Sequence, residues 1–359
     1  YQHGVLLRGK IRENIQKFSD VPMLYYSKQA LKFRENLDVI LSNIPPHFIE
    51  EIKGVAVGAK VATEDVLALN FFPEMFRCMG LTVNGKATKD GSLYHVRVLD
   101  YGVSNTLQDS SVLIVAEPDD RIPYLSVTYA GFIGVVTGMN QEKISIGEIN
   151  GEGYGDWDGM SMPFILKELL ETTSSLEETK DFFKNIPRTS EYYYVIADGK
   201  KNESIGIYAT AKELHYIKPA QSYALLDINT LTKNYHTTEA TDNVFLSEFT
   251  SHSSQFQYRA HDKNGALIAL FHNQPEDCLV IRGGFARYPL LIERLTEDFG
   301  NLNVETLKDL IRPPITNEGN LHNVIFHPST LNLWVSYTDK NGIASERDYT
   351  QYNLDALLR

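Results

Sequence analysis

At Cys78 the sequence changes period, and that change limits the fold more than any other feature. Upstream, apolar residues recur at helical spacing with charges between them over Ile11–Phe18, Tyr25–Leu41 and Pro46–Val57. Thr63-Glu64-Asp65 caps a further short helix running to Asn70, with Pro73 just beyond it. Downstream, short strands alternate with Gly and Asp-Gly turns: Met79–Val83, Leu93–Leu99, Ser111–Ala116, Leu125–Tyr129, Gly134–Thr137 and Ile144–Glu148. Lys89-Asp90-Gly91 marks a hairpin turn.

Two helices are expected next, Pro163–Thr172 and Leu176–Asn185, then strands at Tyr192–Ala197, Ser204–Ala209 and His215–Lys218. Residues 229–263 are polar and carry no clear period. Helices return at Tyr288–Phe299 and Val304–Ile311, and a last strand pair flanks Thr338–Gly342. Strands, paired helices, strands and helices in that order make an α+β pattern, and two sheets between helical layers fit it. The helical first segment reads as an appendage to that body.

Charge and cysteine content exclude several classes. The formal charge of −12 argues against a nucleic-acid partner, which needs clustered Lys and Arg. Cys78 and Cys278 are the only cysteines, too few for a disulfide framework and not spaced as a metal pair. The histidines lie in separate segments without ligand spacing, so no metal is expected; the thiol chemistry argued below needs no organic cofactor. No apolar run reaches the length of a membrane span. The sequence opens on Tyr1 rather than Met, which fits a removed leader, hence a secreted or periplasmic setting, and equally a trimmed chain.

The densest stretch for chemistry runs from Cys78 to Tyr101. It places a thiol at the start of one strand and, across a hairpin, Arg97 and Asp100 on the next. A nearby guanidinium raises a thiol's thiolate fraction, and a carboxylate can orient a base or an ammonium. Spacing alone also allows a small buried Cys beside a surface ion pair. In an ideal strand Arg97 and Asp100 point to opposite faces, so both serve one site only if the strand ends or bulges near Leu99.

These residues resemble the start of the mature chain in the penicillin acyltransferase and choloylglycine hydrolase superfamily of N-terminal-nucleophile (Ntn) hydrolases. The resemblance rests on Cys78, on Gly85-Lys86-Ala87-Thr88-Lys89-Asp90-Gly91, and on Arg97-Val98-Leu99-Asp100-Tyr101, with every spacing kept. It extends to Tyr1-Gln2-His3-Gly4, like the family's early propeptide motif, and to Thr137-Gly138-Met139-Asn140 with Ile146-Gly147-Glu148. Pro187-Arg188-Thr189, Ala286-Arg287-Tyr288 and Asn320-Leu321-His322-Asn323 also fit. The resemblance implies an αββα Ntn-hydrolase sandwich at 78–359, behind a helical prosegment at 1–77 that is cut at Arg77–Cys78. It implies Cys78 as nucleophile with its own α-amino group as base, Arg97 beside the thiolate and Asp100 on the amine. The substrate would be a small N-acyl amide with a linear, non-peptide C–N bond, the acceptor water or an amine, and a homo-oligomer is compatible with the family.

Departures from the family pattern leave the oxyanion-hole amide open between Asn150 and Asn273, with Arg287 nearby, because Ser251 of Thr250-Ser251-His252 stands where relatives carry Asn. That departure keeps a second reading alive, a binding protein that retained the fold and lost catalysis. His95 reads as a packing residue, Asn320–His322 as a turn and Cys278 as a passive thiol. Gly151–Gly155 lacks the Lys-Ser/Thr of a phosphate loop, and Asp156–Gly159 reads as a gating loop or a plain turn.

Overall fold

The computed structural model describes residues 1–19, 35–71, 77–101, 107–150, 158–189, 191–221, 223–224, 244–245, 259–262, 267–271, 274–282 and 287–359. Among them, five helices precede Cys78: α1 (Gln2–Leu6), α2 (Arg8–Ser19), α3 (Leu37–Ser42), α4 (Pro46–Ala59) and α5 (Thr63–Phe71). The helix expected from Tyr25 lies outside the described residues up to residue 34, and α3 covers its end. The short α1 was not expected.

The strands then begin with β1 (Arg77–Val83) and β2 (Tyr94–Asp100), an antiparallel hairpin with Cys78 opposite Leu99 and Gly80 opposite Arg97. A meander follows in β3 (Ser111–Ala116), β4 (Tyr124–Tyr129), β5 (Thr137–Asn140) and β6 (Ile144–Asn150). After α6 (Met162–Thr172) and α7 (Leu176–Asn185) it resumes in β7 (Tyr192–Asp198), β8 (Glu203–Ala209) and β9 (Leu214–Ile217). These strands, β3 to β9, make an antiparallel seven-stranded sheet in simple sequence order. Local signals set the helices: Ser175 accepts the Glu178 N–H at the start of α7, and Glu177 and Glu178 complement the positive end of its dipole.

Four short strands, β10 (Tyr223–Ala224), β11 (Val244–Phe245), β12 (Arg259–Asp262) and β13 (Leu267–Phe271), form a small separate sheet. The chain closes with β14 (Cys278–Arg282), α8 (Tyr288–Glu297), α9 (Val304–Leu310), β15 (Asn320–His327), β16 (Asn332–Tyr337), β17 (Thr350–Asn353) and α10 (Leu354–Leu357). An Asn303–Thr306 capping box starts α9. The second large sheet runs β14-β1-β2-β15-β16-β17, again antiparallel. The strand that carries Cys78 is therefore an inner one.

The two large sheets lie face to face. A Cβ on Gly80 of β1 would sit 2.8 Å from Val195 of β7 and 3.0 Å from Ile149 of β6, and one on Gly206 of β8 would sit 2.8 Å from Ile281 of β14. Helices α6 and α7 cover the outer face of the meander sheet, and α9 covers the other sheet at β15. The layers thus run helix, sheet, sheet, helix, as the sequence reading expected. Every residue of β2 is buried, because one face meets the second sheet and the other meets the helical layer.

Three expectations needed correction. Asn320–His322 is the start of β15 and not a turn. Its polar side chains find internal partners, Asn320 with the Leu99 carbonyl and His322 with Tyr129 and Thr137, so polarity did not keep them out of the core. The strand expected at Gly134–Thr137 lies at Thr137–Asn140. The Ile133 and Gly134 N–H groups donate to the Asn70 side chain and take no part in the ladder. The first segment is also no appendage: Ile11, Phe48, Ile52, Val66 and Leu69 are buried in the main core, and Phe48 stacks on Phe164 of α6 at 5.9 Å. Amphipathic helices require such a partner for their apolar face.

Candidate active site

Cys78 sits on β1 with its thiol between two buried charges. Arg97, from β2, approaches with Nη2 2.9 Å from Sγ. Glu148, from β6 of the facing sheet, places Oε1 3.1 Å from Sγ. The two also touch each other at 2.6 Å and both are fully buried. Small residues make the space. The residue opposite Arg97 on β1 is Gly80, and a Cβ on Gly147 of β6 would lie 2.5 Å from Arg97 Cδ. Arg97 Nη1 donates to the Val98 carbonyl, which fixes the guanidinium plane. Among the described residues Glu148 Oε2 has no hydrogen-bond partner.

These contacts assign directions. The thiol donates to Glu148 and accepts from Arg97. Burial pushes the Cys78 thiol well above its ordinary value; Arg97 pulls it down and Glu148 pushes it up again. The guanidinium therefore does not produce the thiolate expected from the sequence, because burial outweighs it and Glu148 neutralises it. Burial also raises Glu148, against the lowering effect of Arg97. A carboxylate held above its usual range is a better proton acceptor for a thiol.

The other sequence candidates fall in different places. Asp100 is buried, pairs with Arg77 in strand register, and its Oδ2 lies 3.5 Å from Arg287 Nη1 at the start of α8. Arg287 also donates to the Ile315 carbonyl at 2.9 Å. The register of β15 against β2 shifts between Asn320 and His322, opposite Asp100 and Leu99. The strand of Arg97 itself ends at Asp100, and the register shift lies on the neighbouring β15. Asn150 ends β6 with its side chain outside the described residues, and Asn273 lies outside them altogether, as do residues 151–157 and Ser251.

His95, read from the sequence as a packing residue, is not at the thiol. Its Nδ1 meets Ser145 Oγ at 2.9 Å, and burial with the Arg97 charge lowers it to about 3. His322 was missed as a neighbour of the site. It stands opposite Leu99, which stands opposite Cys78, and bridges Tyr129 at 3.0 Å and Thr137 at 3.1 Å. Burial and Arg97 hold it well below its ordinary value, hence neutral. Glu148 had one sequence signal, its place in Ile146-Gly147-Glu148. Cys278 and Cys78 are both free thiols. Among the described residues His47, Glu168 and Glu171 have metal-like spacing, but Arg121 and Lys167 already lie on those carboxylates at 2.9–3.3 Å, making an ion-pair network.

Comparison with known proteins gives the family. The model of the acyl-coenzyme A:6-aminopenicillanic acid acyl-transferase family matches residues 86–282, more than half of the chain. The chain belongs to that family. Arg97, Asp100 and Glu148 lie inside the matched span, and Cys78 lies just before it. The sequence is similar to protein dcd1B of Dictyostelium discoideum, 27% identical over 56% of this chain and 46% of that protein. It is also similar to acid ceramidase of Homo sapiens, 25% identical over 50% of this chain and 51% of that one. The chain spans about half the length of the curated relatives it matches. A solved structure of a Caenorhabditis elegans N-acylethanolamine-hydrolyzing acid amidase ortholog overlaps 77% of this chain and 99% of its own, with a TM-score of 0.47 at 15% identity. Among the described residues no helix is long and apolar enough to cross a membrane.

Proposed function

We propose that the protein is an amide hydrolase of the N-terminal-nucleophile type, which cleaves a linear N-acyl amide through a thioester on Cys78. The observation that carries this reading is the Cys78 thiol held between Arg97 and Glu148. A buried Cys with a purely structural role has no need of two buried charges, each costly to desolvate. The names of the relatives point the same way, because a ceramide and an acylated 6-aminopenicillanic acid are both N-acyl amides.

The uncut chain contains no Cys78 amine, so activation comes first. Glu148 takes the Sγ proton, and sulfur attacks the Arg77 carbonyl carbon. The Arg77–Cys78 C–N bond breaks, its nitrogen leaves as an amine with a proton, and the acyl group rests on sulfur as a thioester. Water opens the thioester, leaving a carboxylate on Arg77 and a free thiol. The new amine then serves as base for substrate attack, and Asp100, opposite Arg77 in the sheet, is positioned for the ammonium. Substrate acylates Cys78, its amine leaves protonated, and water or an acceptor amine takes the acyl group.

Intact-mass analysis tests the scheme. Purified protein should yield a fragment that starts at Cys78. Short incubation with N-acyl amino acids, N-acyl ethanolamines, bile-salt conjugates or penicillins should add one acyl mass to that fragment, and added amines report transfer. Neither cleavage nor acylation, with Cys78 inert to iodoacetamide, would leave the binding-protein reading in its place.

A further inference from the structure

The His3 motif near the start of the chain is not used by the scheme above. The structure gives it a partner. His3 Nε2 accepts the Gly131 N–H at 3.0 Å, on the stretch that joins β4 to β5. Gly4 lets α1 lie against α4, since a Cβ there would sit 2.1 Å from the Val55 carbonyl oxygen. Two more side chains of the first segment grip the same stretch. Asn14 of α2 donates to the Ala130 carbonyl at 2.8 Å. Asn70 of α5 donates to the Gly131 carbonyl at 3.1 Å and accepts from the N–H groups of Ile133 and Gly134 at 2.8 and 3.0 Å. Gly131 has φ +95°, which takes the chain out of a strand there, and its N–H and carbonyl are held by these side chains, while the Ala130, Phe132 and Val135 N–H groups bond to backbone carbonyls.

The stretch ends at the site. It begins next to Tyr129, which meets His322, and the Val136 carbonyl at its far end accepts the Glu148 N–H. Glu148 in turn touches the Cys78 thiol.

We propose that His3 is a positioning residue for Cys78: with Asn14 and Asn70 it clamps residues 130–136 beside the thiol, and its protonation opens the clamp. The contact works only for a neutral imidazole, because Nε2 must be the acceptor. A protonated ring turns an N–H toward the Gly131 N–H, donor against donor. The charged side chains facing His3 are Glu51 of α4 and Lys167 of α6, while Arg8 of α2 is turned to the Gly58 carbonyl. Burial lowers His3 below 6.5, only partly offset by Glu51. The clamp is therefore complete above about pH 6.5 and is lost as pH falls through the lower value of the folded protein.

The test is backbone hydrogen exchange of 130–136 in the uncut chain, corrected for intrinsic rates, between about pH 8 and pH 5. In the wild type, protection should fall about tenfold across the window. His3→Gln keeps an acceptor that does not titrate and should hold protection flat. His3→Ala should leave the Gly131 amide unprotected at every pH, with a melting curve showing that the variant is folded. Superimposable profiles for wild type and His3→Gln overturn the proposal. The measurement needs no turnover, although the effect on Cys78 rests on the reading given under Proposed function. A titrating clamp in a protein without amide cleavage would sink that reading alone. Turnover without a titrating clamp would sink only this one.

Discussion

At Cys78 burial outweighs the pull of the nearby guanidinium, and the buried carboxylate adds to it. Arg97, itself paired to Glu148 at 2.6 Å, therefore does not yield a thiolate, and the site holds a protonated thiol with a base beside it. Glu148→Gln keeps the shape and removes the base. We expect Arg77–Cys78 cleavage in that variant to slow by about 10²–10⁴-fold, the usual worth of a positioned base, measured by intact mass against time. The wild-type cleavage rate should fall as pH drops through the raised Glu148 value, because the protonated acid cannot accept the thiol proton. Loss of that acid limb in Glu148→Gln identifies its owner, and an unchanged limb assigns it elsewhere. Cys78→Ala should abolish both cleavage and acylation, while Cys278→Ala should turn over substrate like the wild type.

Among the elements, the strands were legible where turn residues bracket them and illegible where their polarity is satisfied inside. The expected Ser111–Ala116 strand and Leu176–Asn185 helix have the observed bounds. β15 was missed because Asn320, His322 and Asn323 read as loop residues, and β14 because Cys278–Arg282 is too short to show a period. The site divides the same way. Cys78, Arg97 and Asp100 share one hairpin, so sequence spacing reached them. Glu148 and His322 arrive from strands far along the chain: the stacking of the two sheets brings Glu148 near, and the pairing of β15 with β2 brings His322 near. Gly147 shows how tight that stacking is. Gly147→Ala would place a Cβ 2.5 Å from Arg97 Cδ, in a site with no room to relax. It should cost about 1–3 kcal/mol in denaturant unfolding. It should also displace the guanidinium and slow cleavage more than the stability loss alone explains. A fully stable and active variant would mean that the two sheets separate more easily than their packing suggests.

On the scale of the whole molecule, cutting at Arg77–Cys78 would not by itself free the first segment. Its helices bury Ile11, Ile40, Phe48, Ile52, Val55, Val66 and Leu69 in the main core. A fully buried side chain of this size stabilises by about 1.5–3 kcal/mol, so several together offset the entropy gained by releasing one cut end, about 4–15 kcal/mol. Charge adds specificity. Lys167 of α6, itself buried, meets Glu51 of α4 at 3.0 Å, and losing Glu51 would leave that lysine with Glu171 as its one remaining carboxylate among the described residues. Release would also strip Ala130, Gly131, Ile133 and Gly134 of the side chains that hold the Ala130 and Gly131 carbonyls and the Gly131, Ile133 and Gly134 N–H groups. We therefore expect the two pieces to elute together on native size exclusion after complete cleavage and to part only in denaturant. Glu51→Gln combined with Phe48→Ala should weaken this association, measured as loss of the small piece on dilution. Ready separation of unmutated pieces, with the larger one still active, would show that the first segment serves only before the cut.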